Sequence, residues 1–139
     1  MGAIDFEDLQ GERGYSGQKA YNQSKLANVM FTYELARRLE GSGVTATVLH
    51  PGVVSTGFGA EDPSGIFKFV VPFMRPFMKS PEQGAATSIH LASSPQVEGT
   101  TGAFFAKGKP RTSSKQSYDV DAARRLWQVS AELTGVHRI

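Results

Sequence analysis

Tyr21 and Lys25 lie four residues apart in a stretch whose apolar periodicity is that of a helix. At this spacing both side chains project from one face of the helix, about 40° apart. A phenol is a weak base near neutral pH, because its ordinary pKa is about 10. A lysine ammonium one turn away favours the phenolate, so that the hydroxyl can take a proton from an alcohol or give one to a carbonyl oxygen. The pair therefore predicts acid–base chemistry on a hydroxyl or carbonyl group.

The spacing alone is a weak indication, since a tyrosine and a lysine four residues apart on a helix often occur by chance. Tyr15 and Lys19 have the same spacing. Gly17 lies between them, and the apolar periodicity begins only after them, so we expect a loop at this second pair. Tyr21 and Lys25 remain the candidate catalytic pair.

Three helices and two strands are predicted along the chain. The helices are expected at residues 18–40, 81–93 and 120–134, and the strands at residues 44–49 and 102–106. Ser80 and Asp119 are the predicted N-caps, Gln83 lies in the first turn of the second helix, and Gly135 ends the third. This α/β order leaves room for a right-handed parallel crossover between the strands. We therefore expect residues 1–139 to form a single α/β domain.

The first predicted helix is apolar on two flanks. One stripe consists of Leu26, Val29, Met30 and Tyr33, and the neighbouring stripe of Ala27, Phe31 and Leu35. Such a helix usually packs between layers of a domain or against a second subunit.

The composition is that of an ordinary soluble globular protein, with 40% hydrophobic and 20% charged residues. A net charge of +2 gives no electrostatic reason to expect nucleic acid as a partner. The sequence has no cysteine, which excludes disulfides and thiol catalysis and fits a cytoplasmic location. No apolar run reaches the roughly 18 residues of a membrane span, and the first residues are unlike a signal peptide.

The residues around the Tyr–Lys pair resemble those of the short-chain dehydrogenase/reductase family. The similarity includes YNQSKLAN at residues 21–28, ELARRL at 34–39, GVT at 43–45 and HPGVVST at 50–56. SPEQGA at 80–85 and GAFF at 102–105 are similar to the next helix and strand of the family. ARRLW at 123–127 with LTG at 133–135 is similar to the last helix of its retinol-dehydrogenase-like branch. The resemblance covers about residues 5–135.

This resemblance implies an oxidoreductase that interconverts an alcohol and a ketone or aldehyde by hydride transfer, with NADP or NAD as cofactor. Tyr21 would be the acid–base residue. Lys25 would favour its phenolate and hold the ribose of the cofactor, so both residues would also contact the cofactor.

The family also has a Pro-Gly turn after its sixth strand, with a threonine four residues beyond the glycine. Pro51, Gly52 and Thr56 match this pattern. By resemblance, the backbone near Val54 and the hydroxyl of Thr56 would contact the nicotinamide carboxamide and a nearby phosphate. Without the upstream pair, Pro51 and Gly52 would indicate a turn and nothing more.

Only the C-terminal part of the family's Rossmann-type, doubly wound parallel sheet is expected here, without the N-terminal dinucleotide-binding strands. The sequence has no Gly-x-x-x-Gly-x-Gly loop for the pyrophosphate, no Asn-Ala-Gly strand and no residue that selects NAD or NADP. The substrate-orienting serine would precede residue 1, and Ser16 is a poor substitute. Two short strands would leave an unpaired sheet edge. We therefore expect a truncated chain or a complementing partner chain.

The apolar residues 67–78 lie where the family places its substrate lid. A lid would close over a small lipophilic carbonyl compound or alcohol and exclude water. Packing on the domain surface is the first alternative, and contact with a membrane is the second.

Two groups of polar residues are assigned no ligand. The first is a basic loop that contains Lys107, Lys109, Arg111 and Lys115. A solvated surface is favoured for this loop over a contact with phosphate or nucleic acid. No metal site is expected either, because metal-ligand spacing is lacking among His50, His90 and His137.

A second hypothesis belongs to a different class of function. The chain would be a cofactor-free remnant that acts as an oligomerisation or binding module through the doubly apolar first helix. In the family that helix commonly packs against a second subunit, so a homo-oligomer is expected. Binding of NADH or NADPH would separate the two hypotheses.

Overall fold

The computed structural model describes residues 2–54 and 78–136. Its helices are α1 at Gly17–Arg38, α2 at Pro81–Ser93 and α3 at Val120–Thr134, and its strands are β1 at Thr47–His50, β2 at Ala103–Ala106 and β3 at Lys109–Arg111. Short 3₁₀ turns occupy Pro95–Val97 and Lys115–Tyr118. By its contacts the chain forms two compact units, the first made of Met1–Val48, Gly99–Phe104 and Pro110–Ile139 and the second of Leu49–Glu98 and Phe105–Lys109.

Helix α1 begins at the residue after its cap, Ser16. The Ser16 hydroxyl accepts a hydrogen bond from the backbone N–H of Lys19 at 3.5 Å. Tyr15 precedes the cap and lies outside the helix, whereas Lys19 lies in its first turn and its ammonium pairs with Asp5 at 2.9 Å. The prediction of a loop at this pair is therefore confirmed for Tyr15, whereas Lys19 lies in the helix, within the bounds predicted for it. Because Tyr15 is not on the helix, this second pair lacks the geometry of Tyr21 and Lys25.

The other two helices begin and end where the sequence predicts. Ser80 and Gln83 form a capping box, in which Ser80 Oγ accepts from the Gln83 N–H at 3.3 Å and Gln83 Oε1 accepts from the Ser80 N–H at 3.0 Å. Asp119 caps α3 by accepting from the Ala122 N–H at 2.9 Å. Gly135 ends α3 in the left-handed conformation, with φ of 69°. Local hydrogen bonds thus set both ends of α3 and the start of α2.

The three strands form one mixed sheet in the order β1-β2-β3. Lys107 and Gly108 join β2 to β3 and both have positive φ, 55° and 69°, as a type I′ hairpin turn requires. This hairpin is antiparallel, so the crossover through α2 leaves β1 and β2 parallel. Three helices and a mixed three-stranded sheet make an α/β fold that is consistent with part of a Rossmann-type fold.

Two parts of the sheet differ from the prediction. Residues 107–117 are predicted as loop but contain β3 and a 3₁₀ turn. Strand β3 is exposed throughout and includes Pro110, so it shows no apolar alternation; proline and basic side chains are common on edge strands. Strand β1 begins at Thr47 rather than at Val44, which is 57% exposed.

The core of the first unit lies between α1 and α3. Leu26 and Met30 of α1 are buried with Ala123 and Leu126 of α3. Full burial of a side chain such as Leu or Met stabilises a fold by about 1.5–3 kcal/mol. The first apolar stripe of α1 therefore packs within this unit.

The second stripe of α1 also reaches α3. Phe31 stacks on Trp127, with ring centroids 5.0 Å apart and an interplanar angle of 11°. The Arg38 guanidinium lies 4.6 Å from the centroid of the same Trp127 ring. Arg38 and Arg37 both donate hydrogen bonds to Glu34, which is only 4% exposed and would be costly to bury unpaired.

Candidate active site

Tyr21 and Lys25 lie one turn apart near the start of α1. The Lys25 ammonium nitrogen lies 5.2 Å from the centroid of the Tyr21 ring, within the range of a cation–π contact. Both side chains are exposed, Tyr21 to 47%. The buried residues Leu26 and Met30 hold the opposite part of the helix against α3. A phenol and an ammonium are thus presented together to solvent from a helix that is fixed by its buried face.

Pro51 to Val54 form the turn that directly follows β1 in the second unit. Gly52 has φ of 89°, a conformation that side-chain-bearing residues rarely adopt. Val54 forms a parallel bridge with Lys79, in which the Lys79 N–H donates to the Val53 carbonyl at 2.9 Å. In a parallel bridge of this kind the N–H and C=O of Val54 itself point away from Lys79. The donor and the acceptor of the Val54 backbone are therefore directed to the side of the turn opposite Lys79.

The same turn rests on α2 through Val54. A Cβ added at the buried Gly84 of α2 would lie 2.7 Å and 2.9 Å from the two γ carbons of Val54. The absence of a side chain at Gly84 is therefore what permits this close packing. Lys79, immediately before the cap of α2, also donates from its side chain to the Pro51 carbonyl at 2.9 Å.

The predicted site residues fall into two groups. Tyr21 and Lys25 come together in the first unit, and Pro51, Gly52 and Val54 come together in the second. Thr56, residues 67–77 of the predicted lid segment and His137 lie outside the described residues.

Two surface pockets of the first unit do not include the Tyr–Lys pair. A pocket of about 210 Å³ opens beside the first half of α1, where its lining includes Tyr15, Lys19, Gln23 and Leu126. At 100° per residue, Lys19 and Gln23 project from the face of α1 opposite Tyr21. A second pocket, of about 600 Å³, lies at the end of α1 and is lined in part by Tyr33, Gly41, Thr101 and Tyr118.

A hydroxyl network near that second pocket is not apparent from the sequence. The Ser113 hydroxyl lies 2.7 Å from the Tyr33 hydroxyl and 2.6 Å from that of the buried Ser117. Burial raises the pKa of Tyr33 above its ordinary value. Hydrogen bonding with Ser113 lowers the pKa of Tyr118, which stacks on Tyr33 with ring centroids 5.4 Å apart. Because the partners of Tyr33 come from 80 residues later, no local pattern reveals the network.

In the part of the chain that the structure describes, no group of three His, Asp or Glu side chains could hold a metal ion. None of the helices at residues 2–54 and 78–136 is both long and apolar enough to cross a membrane.

The family profile and the individual proteins that are similar to this chain indicate the same family. The family profile described as short chain dehydrogenase matches residues 7–65. Human retinol dehydrogenase 14 is 45% identical over 139 aligned residues, which cover 97% of this chain and 41% of that protein. Mouse retinol dehydrogenase 12 is 43% identical, with 98% of this chain and 42% of that protein covered, and mouse retinol dehydrogenase 13 is 42% identical over 97% of this chain. The chain thus spans about two fifths of the length of these relatives.

The chain belongs to the short-chain dehydrogenase/reductase family. Within that family it lies in the branch that contains the retinol dehydrogenases named above.

Proposed function

We propose that this chain carries the proton-transfer residues of an NAD(P)-dependent oxidoreductase that interconverts an alcohol and a ketone or aldehyde. The observation that carries the proposal is the Tyr21–Lys25 pair, with the ammonium 5.2 Å from the phenol ring on an exposed face of α1. Family membership supports an oxidoreductase, since the relatives at 42–45% identity are named dehydrogenases.

Tyr21 exchanges the proton in this proposal. Its hydroxyl gives a proton to the carbonyl oxygen during reduction, or takes one from the alcohol during oxidation. Lys25 places a positive charge one helical turn from Tyr21 and, by family resemblance, would donate a hydrogen bond to the ribose of the cofactor. The nicotinamide cofactor, when bound, supplies or accepts the hydride.

The turn at Pro51–Val54 fits the nicotinamide end of such a cofactor. It follows the carboxyl end of β1, and ligands of open α/β sheets bind at the carboxyl ends of the strands. Gly52 lets the backbone bend sharply, and the Val54 N–H and C=O that point away from Lys79 match a carboxamide, which has one acceptor and one donor group. Thr56 would add its hydroxyl by family resemblance.

The substrate class proposed is a small lipophilic alcohol or carbonyl compound, because the relatives are named for retinol. Retinol and retinal are therefore suitable first probes.

The test uses two matched tyrosine variants. The chain is titrated with NADH and NADPH while nicotinamide fluorescence is followed, and turnover of retinal is then measured with the dinucleotide that binds. We expect Tyr21→Phe to leave binding within about threefold and to reduce turnover by at least roughly 10²-fold, the contribution of a general acid. Tyr15→Phe is the control, because Tyr15 has the same spacing to a lysine but lies outside the helix. Equal turnover by Tyr21→Phe and the unaltered chain would refute the assigned role.

The alternative function is a binding module without cofactor. Against it, α3 already covers part of both apolar stripes of α1, through Met30 and Phe31. Phe31 remains 41% exposed and would belong to any such interface. Absence of dinucleotide binding, together with dimerisation that Phe31→Ser abolishes in sedimentation measurements, would favour this function.

A further inference from the structure

Lys79 contacts the turn after β1 with both its backbone and its side chain. Its N–H donates to the Val53 carbonyl at 2.9 Å, and its ammonium donates to the Pro51 carbonyl, also at 2.9 Å. The side chain is partly buried, so the hydrogen bond to Pro51 is only partly exposed to water. One residue therefore occupies two of the carbonyl groups of a four-residue turn.

The side chain of Lys79 also lies directly over Gly52. A Cβ added at Gly52 would lie 3.2 Å from Lys79 Cε and 3.3 Å from its Nζ. The lysine thus fills the space that a side chain at position 52 would need and covers that face of the turn. This face of Gly52 is therefore closed to a ligand, and the Val54 backbone groups point away from Lys79.

The position of Lys79 is itself fixed by the start of α2. Ser80, the next residue, is the N-cap of that helix and forms the capping box with Gln83. A capped helix start holds the backbone of the residues beside it in one conformation. The backbone position from which the Lys79 side chain extends is therefore fixed before any ligand binds.

We propose that Lys79 is a positioning residue that sets the conformation of the Pro51–Val54 turn and thereby the affinity of the site for the nicotinamide end of the dinucleotide. This inference rests on the proposed function. Lys79 acts through the turn, and its charged hydrogen bond to Pro51 keeps the Val54 backbone groups directed at the ligand side. Because the turn is already ordered in the free protein, the entropy cost of ordering it does not reduce the affinity for the dinucleotide.

The first test compares Lys79→Met with Lys109→Met. Both changes replace an ammonium with an apolar side chain, but Lys109 is exposed on β3. We expect Lys79→Met to increase amide hydrogen exchange at Gly52, Val53 and Val54 by roughly tenfold, the effect of losing one charged hydrogen bond. Exchange within α1 is expected to stay unchanged in both variants, which separates a local effect from general unfolding.

The second test restores the charge chemically. Because the chain has no cysteine, Lys79→Cys introduces a single thiol. Alkylation of this thiol with 2-bromoethylamine rebuilds a side chain of lysine length with a terminal ammonium, whereas alkylation with 1-bromopropane gives a neutral chain of equal length. The ammonium form is expected to recover slow exchange and to bind NADH or NADPH about tenfold more tightly than the neutral form. A structural role of the side-chain stem alone would give the same affinity for both products.

Three results would contradict one proposal or the other. Unchanged exchange in Lys79→Met would refute the positioning role, as would equal dinucleotide affinity of the two alkylated products. Absence of dinucleotide binding to the unaltered chain would refute the proposed function for this chain and the nicotinamide as the ligand of the turn. In that case the exchange measurements still decide whether Lys79 sets the conformation of the turn.

Discussion

Val54 packs against the backbone of Gly84 so closely that a Cβ at position 84 would lie 2.7 Å and 2.9 Å from its γ carbons. Such distances are too short for real carbon contacts, and the β-branched side chain of Val54 has few other rotamers to adopt. The glycine is thus required by its neighbour, although glycine within a helix usually destabilises it by about 1 kcal/mol relative to alanine.

Gly84→Ala is therefore expected to destabilise the protein by about 1–3 kcal/mol, the usual cost of overpacking, despite the better helix propensity of alanine. In the double variant Gly84→Ala, Val54→Ala the γ carbons are gone, so a coupling energy of roughly 1–2 kcal/mol should favour the pair. Urea unfolding followed by circular dichroism measures the cycle. Gly17→Ala is the control, since its nearest neighbour would lie 3.8 Å away. Additive effects at 54 and 84 would contradict the steric explanation.

Ser113→Ala is expected to destabilise the first unit by about 1–3 kcal/mol, because it leaves the hydroxyls of Tyr33 and Ser117 without their shared partner. Ser114→Ala is a matched control: its side chain makes no capping hydrogen bond, and a change within about 0.5 kcal/mol is expected. Thermal unfolding of the two variants makes the comparison. Similar losses in both would show that the network adds nothing to stability.

The contribution of the Asp5–Lys19 ion pair to stability is expected to depend on pH and to be lost in both strong acid and strong base. The hydrogen bond with Lys19 lowers the pKa of Asp5 below its ordinary 3.8, and the same bond raises the pKa of Lys19 above 10.5. The Asp5 contribution is present above pH 3.8 and is lost as the pH falls through the lowered pKa. The Lys19 contribution is present below pH 10.5 and is lost as the pH rises through the raised pKa.

The difference in unfolding free energy between the unaltered chain and Asp5→Asn should therefore be constant in the neutral range and disappear toward both extremes. Urea unfolding across the pH range measures it. Because both side chains are exposed, high salt should reduce the difference. A difference that persists in strong acid would mean that something other than the ion pair is lost in Asp5→Asn.

Lys107→Asn is expected to stabilise the protein by about 0.5–1 kcal/mol. Lys107 has φ of 55° and the next residue is Gly108, so the change creates an Asn-Gly turn, the preferred pair for a type I′ hairpin. Lys107→Val should have the opposite sign, because β-branched residues are disfavoured at positive φ. Differential scanning calorimetry of the two variants gives the order of melting temperatures, and the reverse order would contradict the turn assignment.

The helices were predictable because their signals are local. Ser80 with Gln83, and Asp119 with Gly135, mark the ends of α2 and α3 in the sequence itself. Strand β3 was not predictable, since Lys109, Pro110 and Arg111 carry no apolar alternation and their pairing is set by a turn with a non-glycine residue at positive φ. Tyr21 and Lys25 were predicted from their spacing and the family resemblance, and the structure places both on one exposed face of α1. Lys79 was not, because its contact with Pro51 joins residues 28 positions apart and leaves no periodic signal.

The capping box of α2 has a thermodynamic consequence for the turn after β1. Lys79 is the neighbour of the cap residue Ser80 and donates a hydrogen bond to the Pro51 carbonyl, so fraying of α2 and opening of the turn are linked equilibria. A ligand that binds only the closed turn must therefore reduce fraying of the first turn of α2. By reciprocity, an intact cap raises the affinity for that ligand by the same factor. If the turn binds the dinucleotide as proposed, Ser80 acts on that binding equilibrium without touching the ligand.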